Sequence, residues 1–112
     1  MKTIIAGTRT IHDFNLVRQA IIDSGFNISE VVCGEARGVD TLGKNWAHYN
    51  NIPVKSFPAD WSQYGKSAGY KRNVQMADYA EALIAITTGS PGTAHMINIA
   101  HEKGLKIFIN WF

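Results

Sequence analysis

Cysteine is almost missing from this 112-residue chain: Cys33 stands alone. One cysteine gives no internal disulfide framework and no cysteine-based zinc site. Its setting, Val31-Val32-Cys33-Gly34, is that of a buried strand residue rather than a nucleophile. Charge of one sign is scarce as well. Eleven Lys and Arg against nine Asp and Glu leave a formal +2, with no basic cluster, so no nucleic-acid partner is expected. Long apolar runs are missing, which excludes a membrane-spanning helix, and no membrane partner is expected. The first apolar run starts at Thr3, leaving no room for a signal peptide, so a cytoplasmic location is expected. His95 and His101 are six positions apart and share no helix face, and no other His and carboxylate set has ligand spacing. No metal is expected. Neither a Walker lysine motif nor a G-x-G-x-x-G fingerprint occurs, so the chain does not read as a usual NTPase or dehydrogenase, and no cofactor is expected. What remains is an ordinary globular composition, 46% apolar and 18% charged, enough for one domain over residues 1–112 with its own core.

The apolar residues fall into an alternating order. Thr3-Ile4-Ile5-Ala6 predicts a first strand ending at Gly7-Thr8-Arg9. Asp13 is a plausible cap for a helix carrying Leu16, Val17, Ala20 and Ile21 on one stripe and closed by Gly25. Glu30 to Cys33 predicts the second strand. Val39, Leu42, Trp46 and Tyr49 mark the next helix, which stops at Asn50-Asn51. Val54 to Phe57 is a weaker third strand. From Pro58 to Gly69 no period is visible, and so long a loop in a compact domain is often functional. A helix from about Tyr70 to Tyr79 leads to a fourth strand, Ala82 to Ile86. A last helix ending at Gly104 precedes the strand Leu105 to Ile109. Strands alternating with helices through short glycine turns predict an α/β fold, a doubly wound, mostly parallel Rossmann-like sheet with helices on both faces.

That fold gathers the strand-to-helix turns on one edge of the sheet. Gly7-Thr8-Arg9, the stretch Gly34 to Asp40, Asp60-Trp61 and the stretch Gly89 to His95 are therefore expected around one pocket. The turn Gly89-Ser90-Pro91-Gly92-Thr93 follows a buried strand and opens a helix, where backbone N–H groups and the helix dipole favour an anion. Read alone it is equally a tight loop that binds nothing. Thr93 is placed to cap the helix or to contact a ligand. Arg9, Arg37 and Arg72 are suited to phosphate oxygens. Arg72 and Asn73 lie one turn into a helix with a glycine-rich start. Asp40 sits at a helix start, as a cap or as an acceptor for ribose hydroxyls, and Trp61 either stacks on a base or packs.

Read together, these pieces look like a known family. Gly7-Thr8-Arg9, Gly34-x-Ala36-Arg37-Gly38-x-Asp40, Trp46-Ala47, Phe57-Pro58-Ala59-Asp60-Trp61 and Tyr64-Gly65 follow one another in its order. So do Ala68-Gly69-x-x-Arg72-Asn73-x-x-Met76 and Gly89-x-x-Gly92-Thr93-Ala94. The chain resembles the YpsA-related family of the SLOG superfamily along essentially its whole length. The resemblance implies a Rossmann-like fold and a nucleotide or nucleotide-derived ligand. Relatives include the lysine-decarboxylase-like phosphoribohydrolases and the DNA-processing protein DprA. The phosphoribohydrolases carry a Pro-Gly-Gly-x-Gly-Thr-x-x-Glu motif, and alignment on Gly92-Thr93 puts Met96 where their glutamate stands. Methionine cannot act as acid or base. Glu35 also occupies a place where relatives more often have a small residue, so it either reads the ligand or narrows the pocket.

The expectation is a non-catalytic binder of an ADP-ribose-like molecule, acting by sequestering it. Gly89 to Thr93 with Arg9 or Arg37 would hold phosphates, Asp40 or Asp60 ribose hydroxyls, and Trp61 or Tyr64 a base. His95 would contact the distinguishing group. The alternatives are an N-glycosidase or phosphoribohydrolase using Glu35 or Asp60, and a DNA-binding protein of DprA type. A homodimer or higher homo-oligomer is expected by analogy, with Trp46 or Met96 on the contacting helix faces.

Overall fold

Apolar runs without a polar partner in alternate positions belong in strands covered on both faces, and the central strands of this chain are of that kind. The computed structural model covers residues 1–112. Five strands, β1 (Lys2–Gly7), β2 (Glu30–Cys33), β3 (Val54–Ser56), β4 (Ala82–Thr87) and β5 (Lys106–Trp111), form one sheet in the order β3-β2-β1-β4-β5. All pairs are parallel, with Thr3 opposite Val31 on one side and opposite Ala82 on the other. The helices are α1 (Phe14–Ser24), α2 (Val39–Tyr49), the short α3 (Trp61–Tyr64), α4 (Ala68–Tyr79) and α5 (Pro91–Glu102). None is long and apolar enough to cross a membrane.

Side chains alternate across the strands and so build two cores. Ile5, Val31, Ile84 and Ile86 meet Val17, Ala20 and Ile21 of α1 and Val39 and Ala47 of α2. Ile4, Val32, Leu83 and Ala85 meet Met76 and Ala77 of α4 and Met96 and Ala100 of α5 on the other face. Every residue of β4 is buried, which is why its sequence shows no alternation. The ends of α1 are as its sequence predicts. Asp13 accepts from the Asn15 amide at 2.9 Å, and Gly25 turns left-handed at φ 67°.

The stretch Pro58 to Gly69 differs from the irregular loop expected. Asp60 caps α3 by accepting from the Gln63 amide at 3.1 Å, a 3₁₀ turn follows at Gly65–Ser67, and α4 starts at Ala68 rather than Tyr70. Neither α3 nor the 3₁₀ turn has a buried residue, so they carry no apolar stripe for a periodicity to reveal. Strand β5 runs two residues past Ile109, because Asn110 and Trp111 still pair with Ile86 and Thr87.

The chain winds outward from β1 to β3, then crosses back to add β4 on the opposite side of β1. Between β1 and β4 the turns therefore diverge to opposite faces and leave a crevice beyond the strand ends, the usual ligand position in such sheets.

Candidate ligand-binding site

At that crossing lies a cleft of about 490 Å³, whose lining comes from the β1, β2 and β4 turns, α3, α4 and α5. Gly7 makes the β1 end possible. A Cβ there would stand 2.0 Å from the carbonyl oxygen of Ile86, so only glycine lets the two central strands stay paired. The Thr8 hydroxyl accepts from the Thr88 amide at 2.9 Å, which ties the first turn to the fourth. The Gly89 amide donates to the Thr87 hydroxyl at 2.9 Å, with Gly89 itself at φ 101°.

The next amides have no such partner. Ser90 occupies the N-cap position of α5, yet its hydroxyl donates to Thr93 Oγ1 at 2.9 Å instead of capping the helix. No side chain covers the first-turn amides, and Pro91 follows the cap with no N–H of its own. The free N–H groups of Gly92 and Thr93 thus sit at the positive end of the α5 dipole, beside the cleft that both residues line. Asn73, buried on α4, steadies this turn by donating through Nδ2 to the Gly92 carbonyl at 3.2 Å. The same amide group is 3.1 Å from His95 Nδ1. Burial pushes the His95 pKa down, so the ring is neutral at pH 7 and accepts at Nδ1. Tyr70 packs edge-on against His95 at 4.5 Å between centroids.

The second turn is built differently. Asp40 is only 6% exposed and accepts through Oδ2 from the amides of Gly34 at 3.2 Å and Ala36 at 3.3 Å. It is not the helix cap; Gly38 holds that position, at φ 68°. Burial pushes the Asp40 carboxyl up to about 6, against the pull of the two amides and of Arg72 and Arg9. Arg72 reaches across from α4, and its Nη1 donates to the Gly34 carbonyl, while its buried Nε has no acceptor. Glu35 takes a left-handed conformation, φ 62°, and pairs with Lys44 at 3.0 Å. Hydrogen bonds from Ser56 and Lys44 hold its carboxylate below the usual range.

Of the expected residues, Gly7, Thr8, Arg9, Asp40, Trp61, Arg72, Asn73, Ser90, Gly92 and Thr93 line this cleft. Gly34, Glu35 and Arg37 line a neighbouring cleft of about 750 Å³, which shares Arg9, Thr10, Ala36, Trp61 and Arg72 with the first. Gly38, Asp60, Tyr64, Gly89 and His95 line neither. Gly38 and Gly89 shape the turns from behind. Asp60 is spent on capping α3, Tyr64 lies under Lys71, whose Nζ is 4.7 Å from the ring centroid, and His95 sits behind Asn73. Besides these, Ala6, Thr10, Ala36, Lys66, Gly69, Tyr70, Pro91 and Met96 line the cleft, and of the charged and aromatic contributors Lys66 and Tyr70 are not foreseen from the sequence. Lys66 and Tyr70 lie in or beside a segment without periodicity. The topology supplies the missing signal, since whatever joins β3 to α4 must pass over the open edge of the sheet.

Three cations, Arg9, Lys66 and Arg72, face one carboxyl, Asp40, across the first cleft. Two exposed aromatics, Trp61 and Tyr70, stand at its rim. No group of three His, Cys, Asp or Glu side chains converges anywhere. Free helix amides, cations and flat apolar faces together suit an anionic ligand with an aromatic part.

The chain is 32% identical over 117 aligned positions to the Gene 61 protein of Mycobacterium phage D29, covering 95% of this chain and 93% of the phage protein. No solved structure matches it. The profile of the family described as YAcAr, the YspA, cpYpsA-related SLOG family, matches residues 1–64 and so includes the β1 and β2 turns and Trp61. The chain belongs to the YspA, cpYpsA-related SLOG family, a membership that points to binding or processing of a nucleotide-related ligand.

Proposed function

We propose that this protein binds a nucleotide-derived small molecule of ADP-ribose type and holds it without turnover. The observation that carries the reading is the uncapped first turn of α5, open to a cleft lined by Arg9, Lys66 and Arg72. A phosphate seated there accepts from the Gly92 and Thr93 amides and meets the arginine forks. Trp61 and Tyr70 then cover the base. The argument against chemistry is the lining itself. Met96, 1% exposed, stands where the phosphoribohydrolases resembled by the sequence carry glutamate. Glu35 is held by Lys44, and Asp60 by its cap. A binder without turnover acts by lowering the free concentration of its ligand. The segment Trp61 to Ser67, all exposed, contributes Trp61 and Lys66 to the cleft lining, and its closure would slow release.

The test is to incubate the purified protein with AMP, ADP-ribose, cyclic ADP-ribose variants, NAD and cyclic dinucleotides, then filter, denature and identify the released ligand by mass spectrometry. An intact ligand at one per protein supports binding without turnover. A cleaved base or ribose phosphate sinks it.

One observation favours the alternative of an N-glycosidase. Asp40, with its carboxyl pushed up to about 6, is the kind of group that donates a proton near neutral pH. Product formation lost in Asp40→Asn would establish that reading. The oligomer proposed by analogy does not rest on Met96, which is enclosed in the sheet core. Exposed Trp111 and Phe112, at the end of edge strand β5, are the candidate contact, and a mass that rises with concentration in sedimentation tests it.

A further inference from the structure

The two clefts are neighbours with a shared wall, and their linings differ in a way that divides a ligand between them. Arg9, Trp61 and Arg72 line both. Beyond them the first cleft holds the α5 turn and Tyr70, whereas the second adds His12, Arg37, Gly34 and Glu35. Each has a volume, about 490 and about 750 Å³, that falls within the roughly 300–1,000 Å³ of a pocket for one small molecule. The one carboxylate of the second cleft, Glu35, is neutralised by Lys44 at 3.0 Å. His12 and Arg37 are exposed and make no hydrogen bond or ion pair within the chain.

Resting on the reading that the first cleft takes a nucleotide, we propose that the ligand has two arms. Its nucleoside and first phosphate lie in the first cleft, that phosphate on the Gly92 and Thr93 amides, the pyrophosphate passes between Arg9 and Arg72, and a second sugar-bearing unit occupies the second cleft against Arg37 and His12. The ligand class is a nucleoside diphosphate extended beyond its terminal phosphate, not a mononucleotide. Arg9 and Arg72 are the only cations common to both clefts, so a bridging pyrophosphate is the part of the molecule that both can reach. Trp61, half exposed and lining both clefts, is within reach of either arm. Arg37 and His12 then decide which extended ligand is kept, because they touch nothing that a plain diphosphate would bring.

Titration calorimetry with ADP, ADP-ribose and NAD tests this on the native protein and on Arg37→Ala, His12→Ala and the double variant. ADP-ribose or NAD is expected to bind at least tenfold more tightly than ADP. In the double variant that advantage falls to threefold or less. Because both side chains are exposed, circular dichroism and thermal midpoints should match the native protein. Equal affinity for all three ligands overturns the two-arm assignment while leaving the nucleotide reading of the first cleft standing. So does an advantage that survives in the double variant, because the second unit then lies elsewhere. No binding of any of the three removes both readings.

Discussion

The turns after β2 and β4 occupy equivalent places on one edge of one sheet, yet they dispose of their polar backbone groups in opposite ways. After β2, Asp40 satisfies the amides of Gly34 and Ala36, and Arg72 takes the carbonyl of Gly34. After β4, Ser90 spends its hydroxyl on Thr93 and leaves the first turn of α5 uncapped. A buried carboxylate is costly and is kept where it closes a turn from within. An open helix terminus is a smaller cost, because water satisfies it until an anion arrives. The β2 turn is thus a wall, and the β4 turn is a receptor.

Substitution of a glycine in each turn separates the two most sharply. Gly38 in the closed turn has φ 68°, and a Cβ there would stand 2.5 Å from the backbone oxygen of Arg9. Gly38→Ala should cost about 3 kcal/mol or more, or prevent folding, because neither backbone can yield. Urea unfolding reads this directly, and a loss under 1 kcal/mol would mean that the turn is not held as described.

The buried carboxyl gives the next effect. With the Asp40 pKa raised from 3.8 to about 6 in the folded chain, the charged form is the one that folding disfavours. Its contribution to stability is therefore greatest below pH 3.8 and is lost as pH rises through 6. The full loss is about 3 kcal/mol. Asp40→Asn keeps an oxygen to accept from the two amides but carries no charge. Relative to the native protein it should gain stability between pH 4 and pH 7.5. Parallel denaturation curves at those two pH values check the sign, and an equal difference at both would show that Asp40 is not perturbed.

Arg72→Ala follows, with about 2 kcal/mol expected from the unpaired Gly34 carbonyl and the lost opposite charge near Asp40. It should also weaken any phosphate ligand, since Arg72 lines both clefts. Arg72→Lys restores charge without the fork. If Lys recovers stability and not affinity, the guanidinium is the ligand contact; if it recovers neither, the arginine acts through packing.

Much of this was legible in the sequence, for a physical reason. Buried parallel strands need continuous apolar runs, and their turns need glycine, so Ile4-Ile5, Val31-Val32 and the run Ala82 to Ile86 declare themselves, along with Gly7, Gly38 and Gly89. The division of labour among polar residues was not legible. Whether Asp40 faces ligand, caps a helix or braces a turn depends on where Gly34 and Arg72 come to lie, 6 residues before it and, for Arg72, 38 residues beyond Gly34. The order of the turns predicts Asp60 and His95 in the pocket, and the ligand reading adds Tyr64 as a cover for the base. Each is engaged locally, by α3, Lys71 and Asn73. Lys66 and Tyr70 reach the cleft from short exposed elements that leave no hydrophobic pattern.

The smallest change in stability belongs to the open turn and tests its role most directly. A Cβ at Gly92 meets nothing within 4 Å, and the residue has ordinary helical backbone rather than a left-handed one. Gly92→Ala should therefore leave stability within about 0.5 kcal/mol of the native value, or raise it slightly, since alanine favours a helix over glycine. The added methyl nevertheless stands beside the free amides where an anion must come close. A tenfold loss of nucleotide affinity is expected against an unchanged unfolding curve. Loss of both would make Gly92 a packing residue like Gly38. Loss of neither would place the phosphate away from α5, and the contrast between wall and receptor would fail at the turn on which it rests.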